Sequence, residues 1–205
     1  QSSPNLIDYD KNISALKEVQ PAPVKASEIA VRVGTSWIDK DLYKEFFSQL
    51  IALPYYMRDG IELYYNKHDG SWRIDRTTGY VRNFRTMNVT SVYGTERANA
   101  YRLFEDCLNQ RSTQIYDTVL DADGREKRVL NNSETVAARE KQNKIVEAFK
   151  DWIFRDPIRR DELETVYNRL FNQIRLPKYD GSYLRFPEMN PAIELRPHQK
   201  DAVHR

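Results

Sequence analysis

Apolar residues recur along the chain at two different periods, and each change of period marks a boundary. Ile29, Val31 and Val33 alternate with Ala30 and Arg32, the two-residue repeat of a strand with one buried face, and Gly34 ends the run. From Asp39, a natural N-cap, the stripe Leu42, Phe46, Phe47, Leu50 and Ile51 has helical spacing and stops at Pro54. Ile61, Leu63 and Tyr65 alternate with Glu62, Tyr64 and Asn66; after the turn signal Asp69-Gly70, Trp72 and Ile74 resume the pattern, which predicts a β-hairpin. Gly79 interrupts, and the β-leaning stretch Tyr80 to Val92 predicts one short strand around Tyr80 to Phe84. Beyond Gly94, Thr95 is placed to cap a helix whose face is Tyr101, Phe104 and Leu108, with Ala100 and Cys107 on its shoulder, so Cys107 reads as core.

A second hairpin is predicted from Gln114 to Leu120 and Lys127 to Leu130, joined by Asp121-Ala122-Asp123-Gly124. The longest helix runs from Asn132 to Arg155. Ile145, Phe149, Trp152 and Ile153 form its apolar stripe, and its polar first half predicts a projecting or surface position. Asp156-Pro157 opens a last helix carrying Leu163, Val166, Tyr167, Leu170, Phe171 and Ile174, expected to form an antiparallel pair with the one before. After Pro177 the chain reads as an extended linker with Pro187, Pro191 and Pro197, while Ile13, Leu16 and Val19 mark a short helical pattern in an N-terminal arm stopped by Pro21 and Pro23. The fold class this gives is α+β: a small, mainly antiparallel sheet packed by helices, then a helical pair and an irregular tail. The expected boundaries are an arm over 1–27, a core over 28–130, the helical pair over 131–175 and a linker over 176–205.

Composition narrows the class without naming a function. The 205 residues are 40% hydrophobic and 30% charged, with 7 Gly and 9 Pro, the profile of a globular chain with a sizeable core. Polar residues bound every apolar stretch, so none approaches the roughly 18 residues a membrane span needs. The single cysteine cannot pair within the chain and favours a reducing, cytoplasmic setting; no secretory leader is visible, and Gln1 in place of Met suggests a piece of a longer chain. Lys+Arg 32 against Asp+Glu 30 gives +2, weaker than the clustered positive charge dedicated nucleic-acid modules usually show; the balance neither proves nor excludes DNA, and any phosphate contact has to be made by local basic patches.

The candidate chemistry is thin. Asp121, Asp123 and Gly124 start like a calcium loop, but that loop wants glycine at its sixth position and glutamate at its twelfth, where Glu126 and Asn132 stand, so a hairpin turn is the better reading. Glu126 and Lys127 beside the aspartates make a weak nuclease pattern. His68, His198 and His204 have no second His or Cys at ligand spacing, and His68 beside its turn reads as exposed. No phosphate-cradling Gly-x-x-x-x-Gly-Lys-Ser/Thr loop is present. Cys107 has no evident base. Arg155, Arg159 and Arg160 are the nearest approach to a basic patch, although Asp151, Asp156, Asp161 and Glu162 among them also fit a salt-bridged face. Of the 13 Tyr, 8 Phe and 3 Trp, periodicity puts many in the core; Tyr55-Tyr56 and Tyr64-Tyr65 are candidates to stack on unpaired bases. No catalytic residue, metal ligand or cofactor is assigned.

One resemblance adds context. Ala26 to Ile29, Val31 to Gly34, Trp37-Ile38, the run Tyr93 to Tyr101, Phe104 to Asn109, Arg139 to Gln142, Glu147 to Ile153, Tyr179 to Ser182 and Leu195 to Lys200 resemble a region of very large bacterial polypeptides from conjugative elements and phage-like islands. In those polypeptides an adenine DNA methyltransferase precedes the region and a Swi/Snf-type superfamily-two helicase follows it. The resemblance implies a connecting module in a bacterial cytoplasmic protein. Its partners would be the flanking methyltransferase and helicase domains and DNA, and its parent would use ATP with magnesium and S-adenosylmethionine. The methyltransferase signature, Asn or Asp followed by Pro-Pro and an aromatic, is absent: Asn190-Pro191-Ala192 and Asp156-Pro157-Ile158 lack the second proline. Leu195 to Gln199 resembles the adenine-reading motif ahead of the first helicase strand, which makes Arg196 and Gln199 nucleotide-binding candidates. Without a Walker loop in the sequence, the expectation is a floppy Gln199 and no catalysis by this segment.

Overall fold

The computed structural model describes residues 4–121, 124–173, 179–187, 189–190 and 193–205. The chain divides into two compact units, one of residues 24–169 and one that combines residues 1–23 with 170–205. The class is α+β, as the hydrophobic pattern predicts.

In the larger unit, Asp39 caps α2 (Lys40–Leu50) by accepting from the Asp41 amide at 2.7 Å. Strands β1 (Ile61–Tyr65) and β2 (Trp72–Arg76) pair antiparallel with Leu63 opposite Ile74, turning through Gly70 at φ +69°. A four-residue helix, α3 (Gly79–Arg82), follows, then a π-type turn over Asn88–Val92 and α4 (Ala100–Leu108). Strands β3 (Tyr116–Leu120) and β4 (Glu126–Leu130) form the second hairpin, and α5 (Asn132–Ile153) and α6 (Pro157–Phe171) complete the unit.

The core is aromatic. Tyr43, Phe46 and Phe47 of α2, Phe104 of α4 and Phe149 of α5 are almost fully enclosed, and their rings interlock. Phe47 stacks on Phe104 at 4.5 Å, and Phe46 meets Phe149 edge-on at 5.0 Å. Each of these side chains removes roughly 150–250 Å² from water. Truncating one leaves a cavity rather than a smaller core, because neighbouring helices on three sides cannot all close in.

The antiparallel pairing is split into two separate two-stranded sheets where one was expected. The free edge of β2 shows why. Asn109 accepts from the Trp72 amide and donates to the Trp72 carbonyl, both at 2.8 Å, while Glu105 accepts from the Ile74 amide at 2.8 Å. Side chains of α4 and the residue after it thus occupy the positions a third strand would need. The β3–β4 hairpin is largely exposed, with Leu120 at 71%.

Other expectations change as well. Residues 29–33 alternate buried and exposed as a strand would, but they pair with no strand. Around Tyr80 the chain is helical, because Thr78 accepts from the Val81 amide and starts α3. The α4 cap is Asn99, four residues after Thr95. The polar first half of α5 does not project. Its Thr135 accepts from the Ile115 amide, and its Gln142 accepts from the Thr113 amide and donates to the Arg111 carbonyl, both at 2.9 Å, so these buried polar side chains satisfy the backbone of an irregular segment. Besides the Arg159 bonds to the end of α5, α6 holds the 24–37 segment: Asn168 bonds both backbone groups of Val24, Glu164 accepts from the Ala26 amide, and Tyr167 meets Trp37 edge-on at 5.5 Å.

In the smaller unit, the helical pattern of the arm extends over α1 (Pro4–Val19), which leaves Tyr9 and Leu16 exposed. The segment expected as a linker ends in α7 (Pro197–His204). Gly181 packs its Cα against the Lys200 backbone and donates its amide to Asp201 at 2.8 Å, and the Tyr183 hydroxyl meets His204 Nδ1 at 2.7 Å. A side chain at 181 would clash, which is why a glycine turn is what lets α7 dock. Ile174, Pro177 and Pro191, read above as helix or linker, and Asp123 of the second turn lie outside the described residues.

Candidate nucleic-acid interface

Where β2 ends, α3 begins and α4 starts, the larger unit has a cavity of about 350 Å³ with Arg76, Arg82, Arg85, Arg97 and Tyr101 in its lining. A neighbouring cavity of about 290 Å³ shares Arg76, Arg97 and Tyr101 and adds Arg102 and Glu105. Five arginines and two glutamates, Glu96 and Glu105, thus stand in the combined lining of these two adjoining cavities, called the arginine cleft below.

Local structure sets each arginine. Arg82 donates from Nε to the Arg76 carbonyl at 2.7 Å, which ties α3 to the end of β2 and aims both side chains to the same side. Arg97 donates to Asp117 Oδ1 at 2.8 Å and to the Tyr116 carbonyl at 2.9 Å, fixing the root of the β3–β4 hairpin, and Arg102 reaches the Gln114 carbonyl at 3.3 Å. The Arg97 and Asn131 hydrogen bonds hold the Asp117 carboxyl below the usual carboxylate range. Among the described residues, Arg97 is the one member of the five in an ion pair; Arg76 also donates to the Arg82 carbonyl at 3.4 Å, so Arg76, Arg82 and Arg102 are held by carbonyl groups, which leave their charge in place, and five arginines outnumber the two glutamates of the lining.

Tyr101 is 5% exposed, and its hydroxyl is buried without a hydrogen-bond partner. The Arg76 guanidinium stands 5.0 Å from its ring centre. Burial pushes the phenol up to about 12, an effect the Arg76 charge partly opposes, so at neutral pH it is a proton donor. A buried donor without a partner, on a ring that one guanidinium already approaches, is a group that a phosphate oxygen entering the cavity could satisfy.

Exposed rings stand on α3, on the turn that packs against it and on β1. Tyr80 shares α3 with Arg82 and is 79% exposed. The 3-10 turn Tyr55–Gly60 packs on α3, and it presents Tyr55 at 83% and Tyr56 at 79%, with the Arg58 guanidinium 5.6 Å over the Tyr55 ring. Tyr64, on the outward face of β1, is 53% exposed. Tyr55 and Tyr64 are thus on the surface, as their candidacy requires, whereas Tyr65 packs on Trp72 at 4.8 Å.

The other sequence candidates fare differently. Arg159 lies over the Trp152 ring at 3.5 Å, donates to the Ile153 and Trp152 carbonyls and approaches Glu45 at 3.9 Å, so its guanidinium is committed to joining α5, α6 and α2. Arg155 is exposed, and Arg160 faces Asp161 at 3.7 Å. Gln199, expected to be floppy, accepts from the Arg196 amide at 2.9 Å and so caps α7. Cys107 is buried, donates to the Gln142 carbonyl at 3.8 Å, and has its thiol pushed up to about 12 by burial. Asp121 accepts from the Arg125 amide within its turn, and His68 is exposed beside the Asp69-Gly70 turn. Among the described residues, no three His, Cys, Asp or Glu side chains gather as a metal site, and no helix is long and apolar enough to cross a membrane.

Arg76, Arg82, Arg85, Arg97 and Arg102 were not singled out by the sequence reading. They are spread over 27 positions, and only the fold of β2, α3 and α4 brings them together.

Neither a curated protein nor a solved structure matches the chain. A family model described as a domain of unknown function, DUF8437, matches residues 32–173, which hold the arginine cleft and the aromatic core alike, and the chain belongs to that family.

Proposed function

We propose that this domain is a non-catalytic module that holds single-stranded DNA, serving as the connecting piece of a methyltransferase–helicase polypeptide and guiding the strand between the two activities. The observation that carries the DNA part is the arginine cleft with its unpartnered Tyr101 hydroxyl. Four unpaired guanidinium groups supply the attraction to a phosphodiester backbone, and the orphaned phenol supplies a fixed donor. The rings of Tyr55, Tyr56 and Tyr80 favour a single strand over a duplex, since bases have to be unpaired to stack on them. The parent context rests on the sequence resemblance. Both carboxylates of the cleft have neighbours that explain them structurally or electrostatically: Glu105 holds the β2 edge, and Glu96 sits among arginines. That favours binding over metal-assisted cleavage.

The test is a fluorescence anisotropy titration with single- and double-stranded oligonucleotides at several salt concentrations. Binding at roughly tens of micromolar is expected, tighter for the single strand, with log K falling by about 0.7 per phosphate neutralised as log salt rises. Absence of salt-sensitive binding in that range removes the proposal, and equal affinity for duplex removes the role of the tyrosines.

A further inference from the structure

On a different face of the larger unit, a groove of about 620 Å³ runs between the irregular segment Ala30–Val33 and α5. Four consecutive residues, Ala30, Val31, Arg32 and Val33, form one wall. Their burial alternates with the period of a strand, and Ile29, just before them, has extended backbone angles (φ −85°, ψ 110°). Among the described residues, none of the backbone amides of Ala30, Val31, Arg32 and Val33, and none of the carbonyls of Ala30, Val31 and Val33, has a hydrogen-bond partner. A segment with strand pattern, strand burial and no ladder is an edge waiting for its neighbour.

The opposite wall fits that neighbour in length and charge. Arg139, Gln142, Asn143, Val146 and Lys150 line it from one face of α5, over 12 residues or about 16 Å at a rise of about 1.5 Å per residue. That is the span of about five residues of extended chain. Arg32, Arg111, Arg139 and Lys150 line the groove and no carboxylate does. Of these cations Lys150 is already paired, with Glu147 at 2.8 Å, which leaves Arg32, Arg111 and Arg139 without an ion pair among the described residues; Asp106 accepts from the Thr113 hydroxyl at 2.6 Å. Val31, Val33, Cys107 and Val146 supply apolar floor for alternate side chains.

We propose that an acidic, extended peptide segment of a partner protein docks here by adding a strand beside Ala30–Val33, its main chain bonding to the free amides and carbonyls, its apolar residues entering the groove and its carboxylates meeting Arg32, Arg111 and Arg139, with Lys150 at the end of the groove. The site stands apart from the arginine cleft and does not depend on the DNA reading.

The experiment uses an alternating glutamate–valine pentapeptide, capped and fluorescently labelled, with the full chain. Anisotropy should give a Kd of roughly 10 to 100 µM, and amide hydrogen exchange at Ala30 to Val33 should slow at least tenfold on saturation. The lysine–valine counterpart should not bind, and the pentapeptide N-methylated at alternate amides should lose at least tenfold in affinity. The exposed pair Arg139→Glu and Lys150→Glu should also weaken binding at least tenfold, whereas Arg82→Ala with Arg85→Ala should leave it unchanged. No binding at roughly 1 mM, unchanged exchange at Ala30 to Val33, or equal binding of the N-methylated peptide each overturns the proposal. Displacement of the peptide from those amides by oligothymidylate would show that the groove takes nucleic acid instead.

Discussion

Tyr101→Phe separates a binding role for the cleft from a merely structural one, because the two predict opposite signs. The hydroxyl is buried without a partner, so folding strips its water and returns nothing, a cost of about 1–3 kcal/mol for a polar group of this kind. Removing it while keeping the ring should therefore stabilise the domain by about 1 kcal/mol or more, equivalent to a rise in Tm of about 2–4 °C per kcal/mol for a chain of this size. The contact with Arg76 over the ring face survives the substitution. In the complex, however, the variant lacks a donor to a charged phosphate oxygen, worth about 1.5–3 kcal/mol, so affinity for a thymidine oligonucleotide should fall by about tenfold or more. Urea unfolding read by tryptophan fluorescence gives the first number and anisotropy the second. A destabilised variant would mean that the hydroxyl is already satisfied in solution. A stabilised variant with unchanged affinity would mean that the strand does not enter the cleft.

Three further outcomes follow from other parts of the fold. Tyr80→Ala and Tyr55→Ala, at rings 79% and 83% exposed, should each weaken single-strand binding by about 1–3 kcal/mol in the same titration while moving Tm by no more than a degree or two. Gly34 sits at φ +86°, and a Cβ there would lie 1.8 Å from the Leu108 carbonyl oxygen, so Gly34→Ala should cost more than about 2 kcal/mol in urea unfolding; a neutral result would show that this approach of segment to helix is loose. Burial lifts the Tyr43 phenol from 10.0 to about 12, so the folded state holds this proton more tightly than the unfolded chain does. Its contribution is complete below pH 10 and is lost between pH 10 and about 12, on the order of 2–3 kcal/mol, and Tyr43→Phe should flatten that alkaline limb of the stability curve measured by denaturant titration.

What the sequence discloses of this fold follows how local the causes are. The α2 stripe and the Asp69-Gly70 hairpin were legible because cap, turn and periodicity all lie within a dozen residues. The segment 29–33 carries the period of a strand, but a period reports burial and not pairing, and among the described residues it pairs with no strand. The first half of α5 looked solvated because Thr135 and Gln142 are polar, yet they are polar in order to bond the backbone of residues 111–115, a tertiary relation no window can contain. The candidate site divides along the same line. Exposed Tyr55 and Tyr64 could be picked out as neighbouring rings, whereas the arginine cleft is assembled from scattered positions. Arg159, conspicuous in a run of basic residues, proves to be structural mortar between helices.

Asn131 joins the second hairpin to the rest of the domain in a way that has mechanical weight. Its amide donates to the Ile115 carbonyl, its side-chain nitrogen to Asp117, and its side-chain oxygen receives the Glu134 amide that starts α5. The protruding ribbon and the long helix are thus clamped at one residue, and Arg97 grips the same ribbon from the cleft side. Arg97 and Asn131 thus converge on Asp117, so the ribbon cannot swing away without breaking bonds both on the cleft side and at the start of α5, the helix that carries Phe149 into the aromatic centre.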